Sequence, residues 1–240
     1  MMVMKMGNIK DKNITIFGDS ISKGVSITDG KIVKVENNAV NLLEEHYGIS
    51  INNKSVFGQT LKRVYDKKLI DEYLNNLDEN KQNVLVISLG GNDSDYNWDQ
   101  VAAFPLNEHH SKTPITEFTK ILEEIIIKVK QKNVRLILTN LFPIDSNRYF
   151  DNIISKKNDK PSILHFLNND ISNLSRHQEV YNDTIIKLGN KYNVPVLDIR
   201  SIFLLNTHFL LNLSLDGIHP NADGQIEIAK VLIEQIDNLK

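Results

Sequence analysis

Hydrophobic positions along this 240-residue chain alternate between short apolar runs and longer stretches of helical spacing. The short runs occupy residues 14–17, 50–52, 84–89, 134–141 and 194–198; Gly18-Asp19-Ser20 stops the first, Gly90-Gly91 the third and Phe142-Pro143 the fourth. β-prone runs of this length, closed by turn-forming residues, predict buried strands. Between them the apolar residues recur three and four apart. Ala39, Val40, Leu43 and Tyr47 mark one helix, and Ile226, Ala229, Ile233 and Ile236 mark the last. The clearest helix carries Ile115, Phe118, Leu122, Ile125 and Val129, with Thr113 as its expected N-cap and Pro114 at its first helical position. Strands that alternate with helices and have near-continuous apolar cores predict a parallel sheet covered on both faces.

In such sheets, sites form beyond the C-terminal strand ends. Ser20, the loop around Gly58 and Gly91-Asn92 each follow a predicted strand, so they are expected along one edge. Residues 145–173, rich in Asn and Lys, are the least regular stretch. They are expected as an excursion after the fourth strand that is able to cover the site. With no repeat or linker, residues 1–240 are expected to form one domain, with 1–12 as a flexible N-terminal segment.

Charge and composition narrow the function. Lys+Arg 28 against Asp+Glu 30 gives a net charge of -2, which supplies no overall electrostatic footprint for nucleic acid or an anionic membrane. A small-molecule substrate is therefore expected, and oligomeric state leaves no mark on the sequence. The absence of cysteine excludes disulfides and thiolate metal sites. Residues 1–12 contain no apolar signal-peptide core, and no apolar run reaches membrane-spanning length, so a cytoplasmic location without stable membrane insertion is expected.

The candidate chemistry sits at the two ends of the chain. Ester hydrolysis by serine needs a hydroxyl on a rigid element, an imidazole to take its proton and a carboxylate to hold the imidazole tautomer. Ser20, His219 and Asp216 are those three types, and Asp216 lies three residues before His219 on a turn entering the last helix. The backbone N–H groups of Ser20 and Gly58 and the side-chain amide of Asn92 are candidate oxyanion donors, with glycine at 58 allowing close backbone approach. Each residue also has an ordinary reading: Ser20 as a helix cap, Asp216-Gly217 as a turn, Gly90-Gly91 as a strand terminator. Their joint occurrence favours the site. Asp19 and Asp93 read as structural. Tyr96, Trp98, Phe104 and Pro105 follow Asn92 closely and are candidates for a substrate wall, Trp98 in particular. His109-His110 lacks neighbours at metal-ligand spacing, so no metal is expected; His46 reads as surface, and His165, His177 and His208 have no evident partner.

Four segments, Gly18-Asp19-Ser20, Asn53 through Gly58-Gln59-Thr60, Gly90-Gly91-Asn92-Asp93 and Asp216-x-x-His219, resemble in order the four sequence blocks of the SGNH, or GDSL, hydrolases. The resemblance implies a flavodoxin-like three-layer α/β/α sandwich with a five-stranded parallel sheet. It also implies cofactor-free ester hydrolysis through an acyl-enzyme in a rather open site, with the roles named above for Ser20, Gly58, Asn92, Asp216 and His219. The chain departs from the pattern at Lys54, Ser55 and Phe57, where small residues are usual, and Phe57 is expected to narrow or line the acyl pocket.

The expected activity is a serine esterase that removes a short acyl group, such as acetyl from a carbohydrate or small metabolite. Longer acyl chains, as for a lysophospholipase or thioesterase, are the alternative; the absence of an evident amphipathic lid argues against them. A non-catalytic carbohydrate- or nucleotide-binding module is disfavoured because neither a phosphate loop nor a dinucleotide glycine motif occurs. An α/β-hydrolase would need a Gly-x-Ser-x-Gly elbow, and a metallophosphoesterase clustered Asp and His ligands; the sequence has neither.

Overall fold

Five parallel strands in the order β4-β1-β5-β6-β7 form the central sheet, and the chain reverses its direction of winding between β4 and β5. The computed structural model describes residues 9–28 and 30–239. In chain order the strands are β1 (Lys12–Gly18), β2 (Val25–Thr28), β3 (Lys31–Lys34), β4 (Ile51–Asn53), β5 (Gln82–Ser88), β6 (Val134–Thr139) and β7 (Val196–Leu197). The helices are α1 (Ala39–Tyr47), α2 (Leu61–Asp66), α3 (Leu69–Asn75), α4 (Trp98–Ala103), α5 (Ile115–Lys130), α6 (Ser146–Tyr149), α7 (Ser155–Lys157), α8 (Lys160–Phe166), α9 (Asn173–Tyr192), α10 (Ser201–Leu205) and α11 (Ala222–Asn238). All five expected strands are present and flanked by helices, so the three-layer α/β/α architecture holds.

Period-two alternation assigns the two sheet faces. Phe17, Leu85, Ile87, Leu136 and Leu138 pack with α2, α3, α5 and α9 in the largest cluster, whereas Ile14, Val84, Ile137 and Leu197 face α1 and α11. The first face closes tightly: Leu85, Leu61, Val64, Phe118 and Ile126 are all fully buried. The second leaves a narrow apolar cavity of about 90 Å³ between the sheet and the α1–α11 pair.

Several elements differ from the sequence expectation. Thr113 does not cap α5: Pro114 holds the N-cap position, and the Thr113 hydroxyl instead donates to Asp93 at 2.6 Å. The helix begins one residue later than a Thr113 cap requires, and the buried Asp93 carboxylate, a charged acceptor, orients the hydroxyl toward itself. On α11 the buried residues are Gly224, Gln225, Ile228 and Ala229, so Ile226 and Ile233 lie beside the core-facing stripe. The hairpin β2–β3 was not expected; its second strand is exposed throughout. Residues 146–157 and 160–166 are largely helical, not irregular. Of the N-terminal segment, residues 1–8 lie outside the described residues, while Ile9–Asp11 make a 3-10 turn into β1.

Candidate active site

The C-terminal ends of β4, β1 and β5 are adjacent, and sheet register brings three of the four sequence blocks together. Gly18 pairs with Ser88, so the chain leaves β1 toward Ser20 beside the chain leaving β5 toward Asn92. Past β4, Lys54 N–H donates to Ile16 C=O and Val56 N–H to Gly18 C=O, which carries Phe57 and Gly58 alongside the end of β1. Ser20 does not cap a helix; it opens a turn whose Ser20 C=O accepts from Val25 N–H at the start of the hairpin.

The fourth block arrives from the other end of the chain. His219 Nε2 lies 2.8 Å from Ser20 Oγ, and His219 Nδ1 lies 2.5 Å from Asp216 Oδ2. Asp216 Oδ1 accepts from the backbone N–H groups of Ile218 at 3.0 Å and His219 at 3.1 Å, so the carboxylate is held by the loop that it orients. Ser20, Asp216 and His219 are 6%, 3% and 6% exposed, which keeps the hydrogen-bonded chain out of bulk water. Burial pushes the Asp216 carboxyl up, but the His219 bond and charge together with the two N–H donors outweigh it and hold the group below the usual carboxylate range. It therefore stays anionic, the state in which a carboxylate can accept from an imidazole N–H.

Among the described residues, the backbone N–H groups of Ser20 and Gly58 donate to no protein acceptor. Asn92 Nδ2 gives one proton to Gln59 C=O at 3.1 Å, next to Gly58, leaving its second N–H available. Gly58 has φ +69, a conformation open to glycine at little cost, and a Cβ built there would meet nothing within 4 Å. Three N–H donors on the chain segments that leave β1, β4 and β5 at one edge of the sheet are thus without a protein acceptor for at least one proton. Phe57 is 44% exposed and stacks on the His219 ring at 5.8 Å with the planes 13° apart.

Two buried carboxylates brace this edge. Asp93, fully buried, accepts from Leu61 N–H at 2.8 Å, Lys62 N–H at 3.3 Å and the Thr113 hydroxyl, tying the Asn92 loop to the first turn of α2. Asp19 accepts from Ile21 N–H at 2.9 Å, and burial pushes its carboxyl up to about 6.

Trp98 does not stand in an open wall. It is 8% exposed, its indole N–H donates to Asp95 at 2.9 Å and to the Tyr149 hydroxyl at 3.0 Å, and it packs in a cluster with Phe150 and Ile154. An indole whose polar atom is satisfied inside a core offers little face to a ligand. Tyr96 packs on the same cluster, while Phe104 is 60% exposed. His109 bonds Phe104 C=O, His110 lies 3.7 Å from Glu108, and no group of metal-binding residues occurs among the described residues. His177 packs between Tyr96 and Tyr181.

Sequence reading missed what holds the Asp216–His219 loop. Arg148 donates to the carbonyls of Leu210, Leu213 and Ser214, Asn152 to Leu215, and Asp145 N–H to Gly217 C=O. The helical stretch that opens with α6 is thus a brace for this loop; the local signal for it was Asp145, which caps α6 through Arg148 N–H.

A family model described as GDSL-like lipase/acylhydrolase matches residues 16–225. No curated protein matches the sequence. Among solved structures, the chain is similar to a lipase/acylhydrolase from Enterococcus faecalis (18% identity, 95% of this chain and 96% of that chain, TM-score 0.60). It is also similar to an acetylxylan esterase from Geobacillus stearothermophilus, solved as a catalytic mutant (20% identity, 97% of this chain and 96% of that chain, TM-score 0.63). A member of the lipolytic G-D-S-L family from Veillonella parvula aligns at 16% identity over 93% of this chain and 97% of that one, with TM-score 0.62. At these identities the structural likeness establishes the fold. No described helix is long and apolar enough to cross a membrane.

Proposed function

The chain belongs to the GDSL-like lipase/acylhydrolase family and is a carboxylic ester hydrolase; from that premise we propose that Ser20 is its nucleophile and a short acyl group its usual cargo. The observation that carries the reading is the continuous contact Asp216–His219–Ser20, with 2.5 Å and 2.8 Å links. In it, His219 takes the Ser20 proton as Oγ attacks the ester carbonyl. The tetrahedral oxyanion is held by Ser20 N–H, Gly58 N–H and Asn92, and His219 then protonates the departing alcohol. Water, deprotonated by the same imidazole, attacks the acyl-Ser20 and releases the acid. No step calls on a metal or organic cofactor.

The short-acyl preference is supported by the likeness to the acetylxylan esterase, which makes an acetylated carbohydrate or small metabolite the first substrate class to screen. A second reading, longer acyl chains as in a lysophospholipase or thioesterase, is favoured by the exposure of Leu211 and Leu215 beside the Asp216 loop.

One experiment separates the two: hydrolysis of p-nitrophenyl acetate, butyrate, octanoate and palmitate by wild type and Ser20→Ala, with EDTA present. The proposal expects an activity maximum on acetate, lowered by about 10⁴-fold or more in Ser20→Ala. A maximum on octanoate or palmitate would transfer the assignment to the longer-chain reading. Equal activity in the Ser20→Ala protein would remove the nucleophile assignment.

A further inference from the structure

The Trp98 indole and the Tyr149 ring belong to a buried cluster of their own, apart from the large core under the sheet, and that cluster touches both loops of the site. On one side stands the chain after β5, where Asp95 follows Asn92 by three positions. On the other stands α6, whose last residue is Tyr149. Ile218, between Asp216 and His219, packs on the same cluster.

One carboxylate joins the two sides. Asp95 Oδ1 accepts from the Tyr149 hydroxyl at 2.7 Å and from the Trp98 indole N–H at 2.9 Å, while Asp95 Oδ2 accepts from Lys112 Nζ at 2.7 Å. Tyr149 is buried, and that burial together with the Asp95 charge pushes its phenol well above the ordinary range, so the hydroxyl remains a donor. The Asp95 end is anchored: Lys112 N–H donates to Asp95 C=O at 2.7 Å, and Asp93, two residues earlier, is held by Leu61, Lys62 and Thr113.

The Tyr149 end carries the acid–base loop. Asp145 N–H, at the start of α6, donates to Gly217 C=O at 2.8 Å, and a Cβ on Gly217 would come to 2.7 Å from Tyr149 N. Arg148, the neighbour of Tyr149, holds the carbonyls of Leu210, Leu213 and Ser214. A path from Asn92 to His219 therefore runs through Asp95, the Tyr149 hydroxyl and the backbone of α6 against Gly217, outside the Ser20–His219 contact.

We propose that Tyr149 and Asp95 are positioning residues, whose hydrogen bond fixes Asn92 relative to the Ser20–His219 pair. This role rests on those proposed for Ser20, His219 and Asn92 and deepens them. An oxyanion donor and a proton acceptor carried on separate loops must meet one tetrahedral centre, and an error of about 1 Å in such an alignment costs roughly 10²-fold in rate. A hydrogen bond between enclosed groups holds that tolerance better than apolar packing, because it fixes direction as well as distance. A hydroxyl that merely satisfies the indole explains less: Asp95 already accepts the Trp98 N–H, so the Tyr149 bond is not needed for that purpose.

The test is Tyr149→Phe, which keeps the ring and removes the hydroxyl alone. Trp98 and Lys112 both keep Asp95 as a partner, so no buried polar group is stranded and the urea unfolding midpoint should hardly move. The expected result with p-nitrophenyl acetate is a kcat lower by about tenfold at a KM within about twofold of wild type. In the Asn92→Ala background the same substitution should cost less than about twofold, because a donor that is absent cannot be misplaced. An unchanged kcat, an undiminished loss in the absence of Asn92, or a rise in KM alone would overturn the proposal. Should Tyr149→Phe lose its fold, Asp95→Ala cuts the same bond from the other loop, with Trp98 still bonded to the Tyr149 hydroxyl, and the same outcomes decide. Ser20→Ala separates this positioning role from the roles beneath it: activity that survives Ser20→Ala removes both, whereas Ser20-dependent activity indifferent to Tyr149→Phe removes only this one.

Discussion

Two loops meet at Ser20, and they are built in opposite ways. The Asp216–His219 loop is enclosed. A Cβ on Gly217, at φ +73, would lie 2.6 Å from Asp145 O and 2.7 Å from Tyr149 N, and the neighbouring carbonyls are bonded by Arg148 and Asn152. The Phe57–Gly58 loop is open. Gly58 has a similar φ of +69 but free space around it, Phe57 is largely exposed, and the buried Ser55 hydroxyl has no partner among the described residues. The difference teaches a division of labour. Proton transfer needs two heavy-atom contacts kept near hydrogen-bond length, which dense packing supplies; substrate entry needs space and unspent N–H donors, which dense packing would remove.

The sharpest way to break the contrast is Gly217→Ala. Left-handed strain and backbone overlap together are expected to cost about 3 to 5 kcal/mol of stability, read by urea unfolding. A loss under 1 kcal/mol would show that the brace yields and the loop is not rigid.

Next comes Asn92→Ala. If the open side supplies oxyanion donors, kcat should fall about 10²- to 10³-fold with little change in unfolding midpoint. A raised KM at normal kcat would make Asn92 a binding group instead.

Asp19, buried next to Ser20, tests what enclosing a carboxylate at this edge costs. Its folded-state value of about 6 lies above the ordinary 3.8, so ionising it opposes folding: the penalty is absent below about pH 4, grows as pH rises, and is complete above about pH 6. Asp19→Asn keeps an acceptor for Ile21 N–H and should gain about 2 to 3 kcal/mol over wild type at pH 8, and almost none at pH 3.5. A gain that does not vary with pH would mean that another group titrates.

The smallest expected effect is Gly58→Ala, at about 1 kcal/mol of stability from backbone strain alone. Set beside Gly217→Ala, it isolates packing, since the two glycines share nearly the same φ. Equal losses at both positions would erase the distinction between the loops.

Much of this was legible in the chain. The five strands carried runs that only a doubly covered sheet can bury, and Gly18-Asp19-Ser20 and Asp216-x-x-His219 each hold a local geometry that short spacing sets: the Asp216 carboxylate reaches His219 because only the two turn residues Gly217 and Ile218 separate them. Other parts were hidden for physical reasons. Residues 174–192 escaped notice as a helix because its buried stripe includes Gln178 and Asn182, whose side chains bond the chain after β6 instead of packing as apolar groups. Trp98 looked like a ligand wall because Asn92 is near in sequence, yet a hydroxyl fifty-one residues away, on Tyr149, draws its N–H into the core.

The sequence by itself determined the fold class, the ester-cleaving family and the identity of the candidate nucleophile, acid and base, because hydrophobic period and short motifs act over a few residues. Only the tertiary structure decided the 2.8 Å contact that joins Ser20 to His219 across 199 positions, the brace of Arg148 on the Asp216 loop, and the outward turn of Leu205 and Leu211. Those depend on which surfaces the sheet leaves uncovered once its helices are packed, and no local pattern of residues records what remains exposed.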